Sequence, residues 1–273
     1  MKVLIAADME GITGVVDWKQ VDSTHTEYQR FRRLMTQEVN AAAAGAVEAG
    51  VDEIIVADGH GDANNILIEE LHPRACLNSG TPSPLAMVQG VDSGVVAAFF
   101  IGYHAHMGAG KAVLAHTWSS RLVSNVWLNG KIVGEIGLNA AVCASFGLPV
   151  LLLTGDQAAC QEALEWVPGI EVVEVKKAAS RSAAECLPPS VTHALIQQAA
   201  ARVVKKFHDK GSEMLKVHLP VKIAIEFLNP GMADRATLLP IISRIDGRKI
   251  ELSAEDMPSA YRLARSAISL ARD

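Results

Sequence analysis

Three short apolar segments in the first half of the chain each end at a polar motif, and this arrangement limits the possible folds. The segments are Lys2–Ala7, Glu53–Ala57 and Val95–Ile101. Each is short and rich in aliphatic residues, which is typical of a buried strand. A carboxylate or a histidine follows each of them, and parallel sheets bind their ligands at the carboxyl ends of strands. The sequence therefore predicts a ligand site at one edge of a sheet.

Helix-like segments alternate with these strands. Helical periodicity is clear over Glu27–Ala49, and Asn129-Gly130 is a hairpin signal. The alternation predicts an α/β domain with a mostly parallel sheet flanked by helices over residues 1–177, with a smaller α+β domain packed on it over residues 178–273. The other predicted elements are helices at Glu135–Ser145, Asp156–Glu165, Ser190–Lys210, Ala233–Leu239 and Pro258–Ala271, and strands at Val150–Leu153, Val221–Phe227 and Ile250–Ser253.

The composition restricts the partners and the compartment. Of 273 residues, 49% are hydrophobic and 20% are charged, which is enough to bury a sizeable core. The net charge of -5 argues against nucleic acid as a partner, because phosphates require clustered Lys and Arg. The uncharged stretch Leu138–Gly155 is broken by Gly147 and Pro149, so we expect no membrane span. Four scattered cysteines and a start without a signal-peptide pattern predict reduced thiols in a cytoplasmic protein.

The residues at the three strand ends indicate a metal site. Asp8 and Glu10 are two residues apart, so an extended chain directs both carboxylates to the same side. His60 follows the second strand between two glycines, and His104 follows the third. Each residue alone has an ordinary interpretation as a helix cap, a polar turn or a structural histidine. Together, carboxylates and imidazoles at converging strand ends favour Zn²⁺ or a similar divalent ion.

Two further residues are candidates, and spacing alone leaves the role of each open. Glu135 begins a predicted helix, so it either leans toward the same edge or interacts only with the helix dipole. His116 follows the glycine-rich segment Met107–Lys111, and a histidine beyond a flexible loop can act as an acid or a base. The chain lacks the motifs of serine hydrolases, HExxH zinc proteases, P-loop proteins and dinucleotide-binding proteins, so those classes lose support.

These motifs, in this order, resemble the bacterial zinc-dependent D-aminopeptidase family linked to dipeptide-transport operons. The resemblance rests on Asp8-Met9-Glu10-Gly11, Asp58-Gly59-His60, Gly102-Tyr103-His104, Ala115-His116 and Gly134-Glu135-Ile136-Gly137-Leu138-Asn139. It continues in Leu71-His72-Pro73, Thr154-Gly155-Asp156, Ser180-Arg181-Ser182-Ala183 and Ile225-Glu226-Phe227, and so covers nearly the whole chain. The Gly/Ala-rich segment between His104 and His116 departs from the family pattern, so substrate preference follows less directly than the metal site.

The resemblance implies an activity and a role for each residue. The implied ligands of two zinc ions per chain are Asp8, Glu10, His60, His104 and Glu135. His116 is the implied catalytic residue, as base, nucleophile or proton donor. The implied reaction is hydrolysis of the first peptide bond of short peptides or amides that carry a D-residue such as D-Ala at the amino end. A homo-oligomer, commonly a decamer of stacked pentamers, is implied as well.

Two other functions fit the residues less well. A dinuclear metal phosphohydrolase needs Lys or Arg beside the ligands to stabilise phosphoryl charge, and Lys111 is the single basic residue near these motifs. A non-catalytic metal-binding oligomeric protein needs neither His116 nor open coordination positions. The zinc aminopeptidase is therefore the leading hypothesis.

Overall fold

The computed structural model describes residues 1–272, which form twelve strands and six α-helices. The strands are β1 (Lys2–Ala7), β2 (Glu53–Asp58), β3 (Ala75–Asn78), β4 (Ala97–Tyr103), β5 (Val123–Leu128), β6 (Lys131–Ile132), β7 (Val150–Asp156), β8 (Glu171–Ser180), β9 (Ala183–Cys186), β10 (Val221–Phe227), β11 (Ser243–Arg244) and β12 (Lys249–Ala254). The helices are α1 (Tyr28–Glu48), α2 (Glu135–Ser145), α3 (Gln157–Trp166), α4 (Pro189–Lys210), α5 (Pro230–Ala236) and α6 (Met257–Leu270).

The strands form two sheets. The larger sheet has seven strands in the order β3-β2-β1-β4-β7-β8-β9, and all its pairs are parallel except β8-β9. The smaller sheet is antiparallel, with the order β11-β12-β10-β5-β6. The predicted α/β class with a mostly parallel, helix-flanked sheet is thus confirmed.

Alternate residues of β1 pack on opposite faces of the larger sheet, as the period of a strand requires. Val3 and Ile5 join the apolar faces of α1 and α4 on one side. Leu4 and Ala6 join α2, β10 and α6 on the other side. Because both faces are covered, β1 is a continuous apolar run, and polar residues are placed only where the strand ends.

Most of the predicted elements lie where the sequence pattern placed them. β10 and α2 match residue for residue, and the hairpin at Asn129-Gly130 joins β5 to β6. The helix predicted at Ala233–Leu239 begins earlier, because the Asn229 side chain caps Met232 N and Pro230 takes the first helical position. The sequence analysis did not identify β3, β8, β9 or β11.

The two sheets interleave along the chain. β5 and β6 precede residue 177 but belong to the smaller sheet, whereas β9 follows residue 177 and closes the larger one. α4 also follows this point and packs on α1, β7 and β8. The boundary between the sheets therefore does not coincide with residue 177, and the division into two domains there stays a prediction.

Two further observations concern the composition. All four cysteines are free thiols, with Cys143 and Cys160 buried and Cys76 and Cys186 exposed. Within residues 1–272, no helix combines the length and the apolar character needed to cross a membrane.

Candidate metal centre

The predicted ligands meet at the carboxyl edge of the larger sheet. Asp8 directly follows β1, His60 lies two residues beyond the end of β2, and His104 directly follows β4. Because β1 lies between β2 and β4, these three strand ends are neighbours. Glu135 is the first residue of α2, which packs on the same edge, and its carboxylate is buried.

The Asp8 carboxylate lies between two histidines. Its Oδ1 is 3.5 Å from His60 Nδ1, and its Oδ2 is 3.3 Å from His104 Nε2. A second carboxylate accompanies each histidine, since Glu10 Oε2 is 3.0 Å from His60 Nδ1 and Glu135 Oε1 is 3.4 Å from His104 Nε2. The five predicted ligands are therefore arranged as two groups that share Asp8.

His116 completes the cluster from the loop that precedes β5. Its Nε2 lies 3.8 Å from Glu10 Oε1 and 3.9 Å from Glu135 Oε1. In each of two sets of three residues, the donor atoms lie within 4.8 Å of one another. One set is Asp8, Glu10 and His104, and the other is His104, His116 and Glu135. The structure thus brings all six predicted residues together, and His116 also has an atom at a position where a cation can be held.

Backbone carbonyl groups orient the three imidazole rings. The carbonyl oxygens of Val21, Ala105 and Leu114 accept hydrogen bonds from His60 Nε2, His104 Nδ1 and His116 Nδ1 at 2.8, 3.0 and 2.9 Å, respectively. Because a carbonyl oxygen can only accept, each of these ring nitrogens carries a proton. In the neutral ring the other nitrogen then has a lone pair directed at the carboxylates, as a metal ligand or a general base requires.

Burial and mutual repulsion shape the electrostatics of the centre. Burial raises the pKa of Asp8 to about 7, and the neighbouring Glu10 carboxylate adds to this effect. Burial also opposes ionisation of Glu10, yet the adjacent His60 holds the pKa of Glu10 well below its usual range. In the same way, His104 outweighs burial and lowers the pKa of Glu135. Three buried carboxylates therefore depend on nearby positive charge.

Two unsatisfied atoms test whether a metal fits this centre. Asp8 Oδ2 and His104 Nε2 are both buried, and neither has a hydrogen-bond partner within residues 1–272. They face each other at 3.3 Å. When His104 Nε2 is unprotonated, as metal binding requires, it and the carboxylate oxygen are both acceptors and no direct hydrogen bond joins them. A cation between them satisfies both atoms, and this mixed oxygen and nitrogen donor set suits zinc.

Comparison with known proteins agrees with this geometry. The model of a peptidase family described as D-aminopeptidase (M55) matches residues 1–266. The chain belongs to the D-aminopeptidase family. A D-aminopeptidase of Bacillus subtilis (strain 168) is 38% identical over 263 residues, which cover 96% of this chain and 94% of the relative. The resemblance stated from the motifs is therefore confirmed.

A solved structure extends the comparison to the fold. It is that of the Zn-dependent D-aminopeptidase DppA from Bacillus subtilis, described as a self-compartmentalizing protease. It superposes on this chain with a TM-score of 0.95 and 36% sequence identity, covering 99% of this chain and 98% of that one. Family membership and the fold thus agree along the chain.

The glycine of the Asp-x-Glu-Gly motif allows a close approach between two strand ends in this D-aminopeptidase-family chain. Gly11 N donates a hydrogen bond of 2.8 Å to the carbonyl of Gly102. A Cβ atom on Gly11 would lie only 2.0 Å from the carbonyl oxygen of Tyr103. Since backbone blocks that position, only glycine lets the Glu10 segment pack against the end of β4.

Sequence reasoning missed Lys176, which holds the same loop from β8. This lysine is buried, and its Nζ donates to the carbonyl oxygens of Glu10, Ile12 and Val15 at 2.5, 2.9 and 2.7 Å. Burial lowers the pKa of Lys176 to about 8. All three protons of the ammonium group are used, so Lys176 fixes the backbone that presents Glu10.

Asp58, which the family motif includes, binds backbone rather than the metal centre. Its carboxylate accepts hydrogen bonds from Asn65 N, Asn65 Nδ2 and Ile66 N at 2.6, 2.7 and 2.8 Å. Asn65 Nδ2 also donates to the carbonyl of His60 at 2.6 Å. Asp58 therefore orders the loop that carries His60. From its position at a strand end alone, this role could not be distinguished from metal binding.

Arg181 fixes the segment that carries His116. Its Nη2 donates to the carbonyl of Ala115 at 3.1 Å, and its own carbonyl accepts from Leu114 N at 3.0 Å. Its guanidinium also lies 5.7 Å from the ring centroid of Trp18, whose ring lies edge-on to that of His116 at 5.3 Å. The arginine of the Ser-Arg-Ser-Ala motif therefore positions the segment that carries His116, although the two are far apart in the sequence.

A cleft of about 700 Å³ opens above the centre. Its floor includes four of the predicted ligands and His116, and Trp18 and Trp118 form part of its walls. Trp118 also contacts the centre directly, because its backbone N–H donates to Glu135 Oε1 at 2.7 Å. The volume lies in the range that is typical of small-molecule sites.

Proposed function

We propose that this chain is a binuclear zinc aminopeptidase that hydrolyses the N-terminal peptide bond of short peptides or amides with a D-residue, such as D-Ala, at the amino end. The observation that carries the proposal is the position of Asp8, which directs one carboxylate oxygen to His60 and the other to His104. A shared carboxylate between two ligand groups is the arrangement that a two-metal site needs.

The ligand groups support two ions per chain. Asp8, Glu10 and His60 would hold one ion, and Asp8, His104 and Glu135 the other. Three side chains on each ion leave coordination positions open for water and substrate, which is typical of catalytic rather than structural zinc. When bound, zinc supplies Lewis-acid polarisation of the scissile carbonyl and a lowered pKa for water.

His116 is the residue of this chain best placed to move a proton. Its Nδ1–H is held by the carbonyl of Leu114, so the unprotonated Nε2 faces the cleft. Burial lowers the pKa of His116, which favours the neutral ring that can accept a proton at pH 7. The same Nε2 can then deliver that proton to the leaving amine.

Binding of the substrate's free amine at the centre would account for cleavage at the first peptide bond. The unprotonated amine would offer its lone pair to one zinc ion or donate a hydrogen bond to a carboxylate beside it. With the amine held there, the first peptide bond would lie over the centre. An acetylated nitrogen has no lone pair for this contact, so N-acetylated peptides are expected to be poor substrates.

The relatives also support an assembly. We infer a homo-oligomer because the solved relative is described as a self-compartmentalizing protease. The decamer is the specific form that the family resemblance implies. The four free thiols support a cytoplasmic location.

Metal analysis and a substrate panel test the proposed function. Purified protein should contain close to two zinc ions per chain by mass spectrometry, lose activity with a chelator and regain it with zinc. D-alaninamide and D-Ala-D-Ala should be cleaved faster than their L counterparts, with N-acetyl-D-alaninamide as the blocked control. Protein that contains no metal and stays inactive with added zinc would overturn the proposal. A preference for L-substrates would overturn the D-specificity alone.

A further inference from the structure

The cleft is lined by basic as well as acidic residues. Four of the proposed ligands line it together with Asp22, Asp58 and Asp62, and its wall also includes three arginines, Arg121, Arg265 and Arg272. Arg265 belongs to α6 and Arg272 follows it, whereas Arg121 precedes β5. A peptide with a free carboxyl terminus carries a negative charge that an arginine of this wall can bind.

Arg265 is the arginine held most firmly in this wall. It is half-buried, its Nη1 donates to the carbonyl of Ser83 at 2.8 Å, and its Cζ lies 5.9 Å from the ring centroid of Tyr261. Arg121 and Arg272 are exposed. Within the part of the chain that the structure describes, Arg265 has no carboxylate at ion-pair distance. Most of its N–H donors are therefore available to a ligand.

Tyr261 connects Arg265 to the metal centre. Its hydroxyl donates to Asn139 Oδ1 at 2.9 Å, and its ring lies edge-on to Trp118 at 5.3 Å between centroids. Asn139 is one turn beyond Glu135 on α2, which corresponds to about 6 Å of helix rise. Arg265 is thus connected, through Tyr261 and Asn139, to the helix that presents Glu135, and Arg265 and Glu135 line the same cleft.

We propose that Arg265 forms a binding site for the carboxylate of the substrate. The planar guanidinium group matches a carboxylate through paired hydrogen bonds. The preferred substrates are then dipeptides and tripeptides with a free carboxyl terminus, rather than amides or longer chains. This assignment rests on the proposed aminopeptidase function and specifies its substrate class.

A matched pair of substrates tests the carboxylate site in the zinc-loaded wild-type protein. D-Ala-D-Ala and D-Ala-D-Ala-NH₂ share the amine and the scissile bond, and they differ in the carboxylate alone. We expect kcat/KM to be roughly ten- to hundredfold higher for the free acid, mainly through KM, as is typical of a charge-assisted hydrogen-bonded pair. The wild-type comparison does not depend on whether any variant folds.

Three variants assign the effect to one residue. Arg265→Met keeps an apolar stem against Tyr261 and should remove most of the preference for the free acid. Arg265→Lys keeps the positive charge but lacks the planar guanidinium group, so it should retain part of the preference for the free acid. Arg262→Met, an exposed position on the same helix, should keep the wild-type ratio.

Several outcomes would overturn the assignment. Equal kcat/KM for both substrates in the wild type, or a full preference retained in Arg265→Met, would exclude a carboxylate site at Arg265 and leave the proposed function intact. An equal loss on both substrates in Arg265→Met would show a structural role alone. A wild-type protein that cleaves neither peptide nor D-alaninamide would instead overturn the proposed function, and this assignment with it.

Discussion

The imidazole rings of His104 and His116 are stacked, with centroids 4.0 Å apart and planes inclined by 13°. The two rings nevertheless have different partners. His104 Nε2 faces Asp8 Oδ2 at 3.3 Å, whereas His116 Nε2 lies 3.8 Å from its nearest carboxylate oxygen, on Glu10. The structure therefore stacks a proposed zinc ligand on a proposed proton carrier, and burial lowers the pKa of the second.

This pairing predicts the phenotype of His116→Ala. The variant should fold and retain two zinc ions, because the five proposed ligands remain. Its kcat should fall about 10²–10⁴-fold, the usual effect of losing a general acid or base. Zinc content by mass spectrometry and steady-state kinetics measure both quantities, with exposed His208→Ala as the control. A larger loss would favour a covalent nucleophile. Near-normal turnover would exclude catalysis by His116, and loss of zinc would make it a ligand.

The shared carboxylate predicts a difference between two ligand variants. Asp8→Ala should cost most of both ions, because Asp8 faces both histidines. Glu135→Ala should cost mainly the ion beside His104. Metal stoichiometry after dialysis against a weak chelator measures the difference, and Asp62→Ala, an exposed position at the cleft, is the control. Loss of a single ion from Asp8→Ala would contradict a bridging role.

The sequence predicted which side chains meet at the edge of the sheet because the relevant physics is local. A buried strand of a parallel sheet is recognisable from its apolar run, and the residues that follow it must lie at the ligand-binding edge. This argument was sufficient to place Asp8, His60 and His104 at the edge. Glu135 and His116 could be placed there only from the tertiary structure, because a helix start and a loop histidine do not indicate which edge they face.

The residues that support the site were not predictable in this way. Lys176 lies 166 positions from Glu10, and a lysine followed by a second lysine in β8 looks like an exposed residue of an ordinary strand. Arg181 acts on a segment 66 positions away. Such long-range pairs depend on strand order, which local periodicity does not specify. For the same reason, the hairpin of β5 and β6 was recognised but its place in the smaller sheet was not.

The three hydrogen bonds of Lys176 predict that Lys176→Met is destabilising. The variant removes the lysine donor from the carbonyls of Glu10 and Val15, whereas the carbonyl of Ile12 still accepts from Val15 N at 3.2 Å. The cost is about 1–3 kcal/mol for each unsatisfied group. Zinc affinity should fall as well, because one of these carbonyls belongs to Glu10. Denaturant unfolding and zinc titration measure the two effects. Lys177→Met, the exposed neighbour, is the matched control. Wild-type stability and zinc affinity in Lys176→Met would refute the positioning role.

The buried carboxyl group of Glu38 is expected to make the stability of the fold depend on pH, separately from the metal centre. It is buried in α1, its Oε1 accepts from Thr13 N at 2.8 Å, and its Oε2 has no hydrogen-bond partner within residues 1–272. Burial raises the pKa of Glu38 from 4.5 to about 7. The folded chain therefore keeps a proton that the unfolded chain releases above about pH 4.5, so this group's contribution to stability falls as the pH rises from about 4.5 to 7.

Glu38→Gln should remove this contribution, because the amide does not titrate and its oxygen can still accept from Thr13 N. Relative to wild type, the variant should gain stability between pH 5 and pH 7.5, by an amount on the order of 2–3 kcal/mol. Denaturant unfolding at both pH values measures the difference, and effects of metal release are common to both proteins. At or below pH 7.5 the buried Lys176, whose pKa is about 8, stays mostly protonated in both proteins. Exposed Glu27→Gln should follow the wild-type profile, and an identical profile in Glu38→Gln would refute the assignment.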